Sequence, residues 1–462
     1  MNFVGRHPEL QLLREAFRGP RSAFVPIYGR RRIGKSELIL HFMRESGGVY
    51  FVGKTAPAAL QLRELMREAA RDLAQPLLAD AAVESWKHAL ELIVKSAPRD
   101  KKLVLAFDEF QWMAYASPEL PAVLQELWDR DWKRSGRVML VLCGSYLGFM
   151  EREVLGQKSP LFGRRTAQIH LQPFSYLEAA EFHPRLSLTD RARIFFVCGG
   201  VPLYLELFDP DRSVEQNIEH VLLAEHSPLF READFLLREE LRDVESYYAV
   251  LLALATGSAL HKDIAARTSI PERSLGYYLK QLEDLGYVER RYPLTEHAPV
   301  KRAVRYALCD PLLRFWFRFV FRNHTFVLQR GPTHAYRELV RPELDSYFGS
   351  CFETLCRKAM PVLYARERVS AAYRIGQYWS RDAQIDVVGL REDGVTDIGE
   401  CKWGAYGGKA RLQAELEQKI AAYPNARGAT LVARAFVRKR PDGVSADSPV
   451  RFHDLDDLYA RP

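Results

Sequence analysis

Three short apolar runs divide the first third of the chain, at residues 23–28, 103–107 and 138–142. Apolar runs of this length without polar alternation are typical of parallel strands that are buried on both faces of a sheet. Between them, residues 60–73 and 84–94 have apolar side chains at helical spacing. The pattern therefore predicts an α/β domain built on a parallel sheet.

A glycine-containing loop follows the first apolar run. Residues 29–36 read Gly-Arg-Arg-Arg-Ile-Gly-Lys-Ser, and a helical pattern begins directly after them. Glycines let such a loop turn its backbone N–H groups toward an anion, and the helix dipole adds positive potential. Lys35 would reach the β- and γ-phosphates of a nucleoside triphosphate, and the Ser36 hydroxyl would hold Mg²⁺. The predicted nucleotide-binding residues of this loop are Gly29, Arg32, Ile33, Gly34, Lys35, Ser36 and Glu37.

Two carboxylates, Asp108 and Glu109, follow the second apolar run, at an interval from the loop that fits the intervening helices. Asp108 would coordinate Mg²⁺ directly or through water, and Glu109 would polarise the attacking water. Further on, Arg164 or Arg165 is a candidate arginine finger that neutralises transition-state charge. The alternative is an ordinary pair of surface arginines.

The first half of the chain resembles the archaeal-type ATPases of the STAND branch of the AAA+ superfamily. This resemblance implies ATP as the nucleotide, Ser145 as a sensor of the γ-phosphate, and Pro202 near the base. It also implies that nucleotide state controls an attached effector. Residues 3–10 resemble the segment beside the base in such ATPases, with an ordinary capping helix as the alternative. The other motifs are G-R-R-R-I-G-K-S at 29–36, L-V-L-A-F-D-E-F at 103–110, L-F-G-R-R at 161–165 and G-G-V-P-L-Y-L at 199–205.

The pattern changes from residue 246 onward. Helical segments at 247–255, 261–268 and 271–285 precede two strand-like segments at 287–292 and 303–308. This order resembles a winged helix-turn-helix with 271–285 as recognition helix, whose basic and aromatic residues would suit a phosphate backbone. Two alternatives stay open, namely DNA binding and packing on the nucleotide domain as a lid. The candidate nucleic-acid contacts are Arg273, Ser274, Tyr277, Tyr278, Lys280, Arg290, Arg291, Lys301 and Arg302.

A second set of polar residues interrupts apolar strands near the C-terminal end. Asp386 on one strand and Glu400 and Lys402 on the next share one face, since strand residues alternate by two. An unpaired acid or lysine in such a place costs several kcal/mol, which a bound cation relieves. Asp386 and Glu400 would hold Mg²⁺ or Mn²⁺ with the Cys401 carbonyl. Lys402 would orient or deprotonate the water that attacks a phosphodiester.

This spacing resembles the PD-(D/E)xK nuclease fold. The resemblance implies Glu353 as a metal-binding acid on the first helix and a following helix over 411–423, with Gln418 as an auxiliary candidate. The proline of the family name is absent, because Ile385 stands in its place. The alternative is a degenerate, inactive fold in which Asp386 and Lys402 form a structural pair.

Composition sets the remaining expectations. Of 462 residues, 47% are hydrophobic and 27% charged, which fits a globular protein. No apolar run approaches the length of a membrane span and the first residues lack a signal-peptide pattern, so we expect a cytoplasmic protein without a membrane partner. The net charge of +7 favours an anionic partner. The six cysteines contain no C-x-x-C pair, which indicates buried free thiols rather than zinc or disulfides.

The sequence thus predicts a multidomain α/β protein: a P-loop parallel sheet with a helical lid (1–235), a winged helix-turn-helix (240–325) and a restriction-endonuclease-like α/β domain (335–462). The order resembles archaeal-type ATPases with an uncharacterised, DUF234-type C-terminal domain. The expected function is ATP hydrolysis, in a monomer or a homo-oligomer, that controls a metal-dependent nuclease acting on nucleic acid, with DNA favoured. Two alternatives are a DNA-binding ATPase switch with an inactive C-terminal domain and a signalling ATPase whose last domains bind protein.

Overall fold

A computed structural model describes residues 3–297, 303–443 and 448–461. Lys301 and Arg302, two candidate phosphate contacts, lie outside the described residues. The chain forms two compact units, Met1–Phe174 with Val201–Leu203 and Ser175–Gly200 with Tyr204–Pro462. Most of the segment expected as a helical lid therefore packs with the second unit. Within the described ranges, no helix combines the length and apolar character that a membrane crossing needs.

A five-stranded parallel sheet forms the centre of the first unit, in the order β2-β3-β4-β1-β5. The three predicted strands are present, and every residue of each is buried because helices cover both faces of the sheet. The short strands β2 and β5 were not predicted. The strands are β1 Ala23–Tyr28, β2 Val49–Val52, β3 Leu103–Asp108, β4 Val138–Gly144 and β5 Ile169–His170.

Two apolar clusters, one on each face of this sheet, make up the core of the first unit. Successive residues of β3 alternate between them: Leu105 and Phe107 join one cluster, and Val104 and Ala106 join the other. This alternation fixes which helices cover which face. The helices are His7–Arg18, Lys35–Ser46, Ala58–Asp72, Trp86–Ser96, Phe110–Ala116, Leu120–Leu127, Lys133–Ser135 and Leu147–Phe149, with π-helical turns at Trp128–Trp132 and Met150–Val154 and a 3₁₀ turn at Pro76–Leu78.

The second unit begins with short helices and continues into a helical module with a small sheet. Strands β6 Ala259–Leu260, β7 Val288–Arg291 and β8 Arg305–Leu308 are antiparallel in the order β6-β8-β7. The helix expected over 271–285 is observed at Glu272–Asp284, after Pro271 and before Gly286. The other helices up to residue 340 are Tyr176–Ala179, Leu188–Cys198, Pro202–Glu206, Val214–Asn217, Glu232–Glu240, Val244–Leu254, His261–Thr268, Pro311–Phe315, His324–Arg330 and Pro332–Ala335, with π-helical turns at Ile218–Leu223, Trp316–Phe321 and Tyr336–Val340 and a 3₁₀ turn at Ala180–Phe182.

A mixed five-stranded sheet, in the order β13-β12-β11-β10-β9, ends the second unit. Strands β9 to β11 are antiparallel neighbours, whereas β12 and β13 run parallel to β11. The long helix Arg341–Arg366 packs on β10 and β11, and a Cβ atom on Gly389 would lie 2.0 Å from the Tyr364 hydroxyl. The remaining elements are β9 Tyr373–Trp379, β10 Gln384–Arg391, β11 Val395–Lys402, helix Lys409–Ala422, β12 Thr430–Val437, β13 Val450–His453 and helix Leu455–Tyr459.

A buried ionic cluster fastens the long helix to this sheet. The fully buried Arg434 donates to Asp397 (2.6 Å), to Glu367 (2.6 Å) and to Nε2 of His453 (3.0 Å), and the Tyr364 hydroxyl donates to Asp397 (2.5 Å). Arginine has no acceptor, so this His453 nitrogen is unprotonated and the ring is neutral. Removing one partner from such a cluster leaves a buried charge and costs about 3–5 kcal/mol.

The ionic cluster predicts an acid-sensitive loss of stability. Burial, with Arg434 adding to it, lowers the pKa of His453 to about 4. The unfolded chain binds this proton near pH 6.5, so the wild type should lose up to about 3 kcal/mol as pH falls from 6.5 to 4. In the His453→Gln variant, the glutamine keeps an acceptor for Arg434 but does not titrate. The variant should therefore not show this loss of stability between pH 6.5 and pH 4. Amide hydrogen exchange of β12, compared between the two proteins at each pH, measures it.

A histidine outside the cluster provides the control for this experiment. His88 is exposed in the first unit, so His88→Gln should follow the wild type at every pH. Equal pH profiles for wild type and His453→Gln would show that His453 does not couple protonation to folding.

Candidate functional site

The loop at 29–36 has the conformation that a phosphate cradle requires. Gly29 has φ +151°, and a Cβ atom there would lie 2.3 Å from the Leu171 carbonyl oxygen. Gly34, at φ +85°, precedes the helix Lys35–Ser46. Arg32 also has a positive φ, +66°, which is uncommon outside glycine and typical of tight functional loops. The loop therefore turns sharply at three positions directly before a helix N-terminus.

Lys35 lies inside this loop and is only 6% exposed. Its ammonium donates to the carbonyl oxygens of Gly29 (2.9 Å) and Arg30 (2.7 Å). Burial lowers the pKa of Lys35, although the nearby Asp108 and Glu109 act in the opposite direction. The cation is thus held by neutral carbonyl groups next to the two carboxylates at the end of β3.

Asp108 is positioned by a side chain from the neighbouring strand β2 and by the backbone that directly follows its own strand. Its carboxylate accepts from the Tyr50 hydroxyl (2.7 Å) and from the Glu109 N–H (2.8 Å). Burial, with Asp108 adding to it, raises the pKa of Tyr50, so the phenol is a neutral donor; Ser36 is a further hydrogen-bonding neighbour of this phenol. Tyr50 therefore connects the two predicted Mg²⁺ ligands, Ser36 and Asp108. It lies on β2, which the sequence did not predict.

Glu109 has a left-handed backbone conformation (φ +47°) and a fully engaged carboxylate oxygen. Its Oε2 accepts from the Ser145 hydroxyl (2.7 Å) and from the Gln111 amide. Gln111 is 1% exposed, and its own carbonyl oxygen has no hydrogen-bond partner among the described residues. Ser145, the candidate γ-phosphate sensor, thus contacts the candidate water-polarising residue. Gln111 was missed from the sequence, although it lies two residues after Glu109.

The entry segment and the G-V-P turn also lie against the loop. Arg6 donates to the Ile33 carbonyl (3.0 Å), and its guanidinium lies 4.0 Å from the centre of the Phe174 ring. Pro202 is the nearest neighbour of Gly34, since its Cγ would lie 3.7 Å from a Cβ atom placed there. Two segments far apart in sequence therefore support one loop.

The two candidate finger arginines differ in their surroundings. Arg164 donates to Asp129 (2.6 Å) and to the Pro160 carbonyl (2.7 Å). These contacts hold its side chain against its own turn and against Asp129. Arg165 is exposed. The finger role of either arginine stays a prediction, and exposure makes Arg165 the one able to reach another molecule.

The C-terminal polar set lies at one end of the β10–β11 pair. Val387 pairs with Gly399, so Asp386 and Glu400 are the next residues outward on the two strands. The register of β10 against β9 shifts between Ile385 and Val388, which places Asp386 in an irregular stretch. Such bulges re-aim side chains. The Asp386 carboxylate accepts a hydrogen bond from the Cys401 N–H (3.1 Å). The contact with Cys401 is therefore made through its N–H group, whereas the sequence predicted its carbonyl as a metal ligand.

Two lysines neutralise Glu400, which is 4% exposed. Lys402 donates to Glu400 (2.8 Å) and to Glu415 (2.9 Å), and Lys419 contacts the second Glu400 oxygen. Glu415 and Lys419 were missed from the sequence, although their i,i+4 spacing on a helix is a recognisable signal. Gln418, the predicted auxiliary, is exposed.

Three acids of this site raise one another's pKa. Burial, with Asp386 adding to it, raises the pKa of Glu400 to about 7. Burial, with Glu353 adding to it, raises the pKa of Asp386, and burial likewise raises the pKa of Glu353 with a contribution from Glu400. Arg357 lies 3.9 Å from Glu353 and donates to the Asp386 carbonyl (2.7 Å). The cluster thus concentrates negative charge that its cations only partly offset.

The donor chemistry of this cluster suits a hard divalent cation, since its groups are carboxylate oxygens that repel one another. In the part of the chain that the structure describes, however, no three His, Cys, Asp or Glu side chains converge as a metal site. Lys419 instead contacts Glu400. Metal binding by Asp386, Glu400 and Glu353 would require Lys419 to move away from Glu400.

Three of the candidate nucleic-acid contacts make ion pairs within their own module. Lys280 pairs with Asp284 (2.6 Å) and Arg290 with Glu283 (2.6 Å). Arg291 likewise pairs with Glu289 (2.7 Å). Arg273 and Tyr277 are exposed, Tyr277 at 62%. Lys280 is exposed as well, so its ion pair with Asp284 is accessible to solvent.

The segment after β7 packs on the C-terminal sheet. The Leu294 N–H donates to the Gln377 carbonyl on β9 (2.7 Å), and the Tyr423 hydroxyl donates to the Leu294 carbonyl (3.1 Å). Glu296 lies 3.6 Å from Arg427. The predicted wing is thus anchored to the C-terminal domain.

Comparison with known proteins gives two family matches. Residues 3–208 match an ATPase domain found predominantly in Archaea, and residues 316–417 match a family of archaeal and bacterial proteins of unknown function. An uncharacterised protein of Methanocaldococcus jannaschii is 28% identical over 408 residues, which is 87% of each chain.

Similar solved structures include the Walker-type ATPase of Pyrococcus abyssi, with a TM-score of 0.49 and 18% identity over 68% of this chain and 96% of that one. The ORC2 protein of Aeropyrum pernix has a TM-score of 0.43 and 15% identity over 71% of this chain and 96% of that one. The family matches, together with the loop geometry, show that this chain combines an archaeal-type ATPase domain at residues 3–208 with a C-terminal domain of the second family at residues 316–417.

Proposed function

We propose that the protein hydrolyses ATP with Mg²⁺ and that its nucleotide state controls a metal-dependent nuclease in the C-terminal domain. The observation that supports the ATPase part is the convergence of Lys35, Asp108 and Glu109 at one edge of the sheet, where Tyr50 contacts Asp108 and neighbours Ser36. Lys35 exchanges its two loop carbonyls for phosphate oxygens, which are stronger partners for an ammonium group. Ser36 and Asp108 would hold Mg²⁺, which would supply Lewis-acid stabilisation of phosphate charge.

The contacts of Glu109 suggest how hydrolysis is restrained. Its Oε2 is occupied by Ser145 and Gln111, so this oxygen can polarise a water only after it exchanges one of these donors for that water. Ser145 is the donor that a γ-phosphate would draw away, since its hydroxyl can rotate and the γ-phosphate has more negative charge than the Glu109 carboxylate. This connects the sensor role of Ser145 to the activation of Glu109.

The ATP site predicts two different phenotypes. Lys35→Ala removes charge-assisted contacts to phosphate and should weaken ATP binding roughly tenfold to a hundredfold. Glu109→Gln should keep ATP bound and slow turnover by about 10²- to 10⁴-fold, since it removes the water-polarising group. Equilibrium binding of a labelled ATP analogue and steady-state phosphate release measure the two effects.

Glu119→Gln, at an exposed position after the same strand, is the control and should match the wild type in both assays. Equal loss of ATP affinity in Lys35→Ala and Glu109→Gln would contradict the role assigned to Glu109.

The proposed nuclease site uses Asp386 and Glu400 as metal ligands, with Glu353 close by. A divalent ion there would activate water and stabilise charge on a phosphodiester. Burial, the largest single effect, lowers the pKa of Lys402, but its hydrogen bonds to Glu400 and Glu415 outweigh this and the net pKa is raised. Lys402 therefore acts as a cation that orients the water or the phosphate, and not as the base.

A second candidate function is a binding scaffold without nuclease activity. The observation that favours it is the double neutralisation of Glu400 by Lys402 and Lys419. In that case these residues form a structural ion-pair network, and the C-terminal domain transmits nucleotide state to a bound nucleic acid or protein.

The nuclease proposal predicts separable activities. Asp386→Ala and Lys402→Ala should each abolish cleavage and leave ATP hydrolysis near wild type, because the ATP site lies in the other unit. Lys402→Ala should bind Mn²⁺ more normally than Asp386→Ala does, since lysine is not a ligand. Supercoiled plasmid, single-stranded DNA and RNA with Mg²⁺ or Mn²⁺, with and without ATP, are the substrates.

Asp382→Asn, on the exposed turn before β10, controls for loss of an acid near the site and should cleave normally. If the protein turns over ATP but cleaves none of these substrates, the nuclease proposal is wrong and the binding-scaffold function takes its place.

We further propose that residues 244–308 form a winged helix that contacts nucleic acid. The support is the order of three helices and a three-stranded antiparallel sheet, with Arg273 and Tyr277 exposed on the third helix. The lid alternative places the same residues against protein. Because Leu294 of the predicted wing is hydrogen-bonded to β9, the third helix rather than the wing is the surface proposed to contact nucleic acid.

Replacing Arg273 and Lys280 together with Ala tests this surface. If both contact phosphates, duplex affinity should fall and the slope of log K against log salt should decrease by about 2, because two fewer counterions are released. Fluorescence anisotropy over a salt series measures the slope. The double variant Arg330→Ala/Arg337→Ala removes the same charge elsewhere and should leave the slope unchanged. Unaltered DNA binding with altered ATP turnover would indicate the lid instead.

A further inference from the structure

The second unit contains a cavity of about 190 Å³ beside the C-terminal carboxylates. Its walls come from β7 and β8, from the helical segment that follows them, and from the start of β10. A water needs only about 10–15 Å³ of such space, so the cavity has room for a polyatomic ligand. The charged side chains that line it are Arg291, Arg305, Arg314, Arg318 and Glu353, and the amide side chains are Gln377 and Gln384.

Two of these arginines have no carboxylate partner among the described residues. The Arg305 side chain makes no hydrogen bond or ion pair with the described residues, and its guanidinium lies 4.7 Å from the Trp379 ring centre. Burial alone lowers the pKa of Arg305. Arg314 donates to the Cys351 sulfur (3.0 Å), and its buried Nε lacks a hydrogen-bond partner among the described residues. Arg305 thus bears a desolvation cost that no anion in the described protein offsets. For Arg314, burial lowers the pKa, but the neighbouring Cys351 and Tyr347 outweigh it and the net pKa is raised, without a carboxylate partner in the described part of the chain.

The other two arginines are already neutralised. Arg318 pairs with Glu343 (2.8 Å) and Arg291 with Glu289 (2.7 Å). The single carboxylate in the lining, Glu353, has Arg357 at 3.9 Å. The cavity therefore presents an excess of two positive charges, together with neutral donors such as the amides of glutamine side chains.

A ligand that complements this lining bears two negative charges on oxygen atoms that can accept from several directions. A phosphate monoester is such a group, and guanidinium forks match its geometry. A single carboxylate would supply only half of the charge.

We propose that this cavity binds a phosphate monoester group through Arg305 and Arg314, with Gln377 as a neutral donor. The group is either the terminal phosphate of a nucleic acid or a free phosphorylated small molecule. Glu353 belongs both to the cavity lining and to the cluster with Asp386 and Glu400, so the ligand binds next to that cluster. Binding at this cavity does not depend on whether the C-terminal domain cleaves its partner.

The test measures binding of inorganic phosphate in the full chain with Lys35→Ala, which removes the contribution of the ATP site. Titration calorimetry at constant ionic strength, with chloride as the exchanged anion, gives the affinity. Adding Arg305→Gln should weaken binding about tenfold or more, as expected for loss of a charged hydrogen-bond donor. Arg305→Lys keeps the charge and should retain most of the affinity.

Two further variants separate binding from folding. Gln377→Glu preserves the shape of the side chain and places a carboxylate beside the arginines, so it should also abolish phosphate binding. Arg337→Gln removes an exposed arginine that lies 3.4 Å from Glu338, and binding should not change. In phosphate-free buffer, Arg305→Gln should unfold at the same temperature as its parent or higher, because it removes a buried charge without an anionic partner.

Oligonucleotides distinguish the two sources of phosphate. A 5′-phosphorylated strand that binds more tightly than its 5′-hydroxyl counterpart, with the difference removed by Arg305→Gln, identifies a nucleic-acid end. Equal binding of both strands, with free phosphate and AMP still dependent on Arg305, identifies a small ligand. Phosphate affinity that is undetectable in the Lys35→Ala protein, or unchanged by both Arg305→Gln and Gln377→Glu, would overturn the proposal.

Discussion

An ionised side chain that leaves water must meet an opposite charge or a set of hydrogen-bonding groups, and this requirement shapes every site described above. Lys35 meets it with two loop carbonyls. Glu400 meets it with two lysines. In both cases the partners are groups that a ligand can replace, since a phosphate is a stronger acceptor than a carbonyl and a divalent ion is a stronger cation than an ammonium. The resting contacts therefore keep each site folded while leaving it able to bind.

The ionic cluster around Arg434 shows the opposite use of buried charge. Its guanidinium reaches Asp397, Glu367 and His453, and Tyr364 completes the coordination of Asp397. A cluster in which every charged group has a partner rigidifies its surroundings. It holds the long helix on the sheet, and that helix also contains Glu353. The fully paired cluster around Arg434 thus helps to position Glu353 and the acidic cluster to which it belongs.

The charged groups whose charge is not fully offset by their neighbours lie together in the second unit. Burial, together with their mutual repulsion, raises the pKa of Asp386, Glu400 and Glu353. Glu353 also lines the cavity in which Arg305 and Arg314 lie, and within the described residues these two arginines have no carboxylate partner. An excess of negative charge beside an excess of positive charge, kept apart by the fold, suits a ligand that combines a metal ion with phosphate. Nucleic acid has this chemistry, which unites the proposed nuclease with the proposed phosphate site.

Much of the architecture was fixed by local sequence. The strands that flank residues 29–36 and Asp108, and the helix Glu272–Asp284, were predicted to within two residues, because their signals are periodicity, glycine and proline, which act over a few neighbours. The family matches confirm the ATPase domain. Short strands such as β2 escaped prediction because four residues contain too little pattern.

The partners of the candidate residues were decided by tertiary structure alone. Tyr50 reaches Asp108 across 58 positions, and Lys419 reaches Glu400 across 19. Which side chain meets which depends on the rotation of a helix, or on a register shift such as that between Ile385 and Val388, and on no local preference. The sequence by itself determined which residues have the chemistry for two sites. Packing decided that Glu109 is held by Ser145 and that Arg305 meets no acid among the described residues, because the free energy of a buried charge depends on distant segments brought into contact.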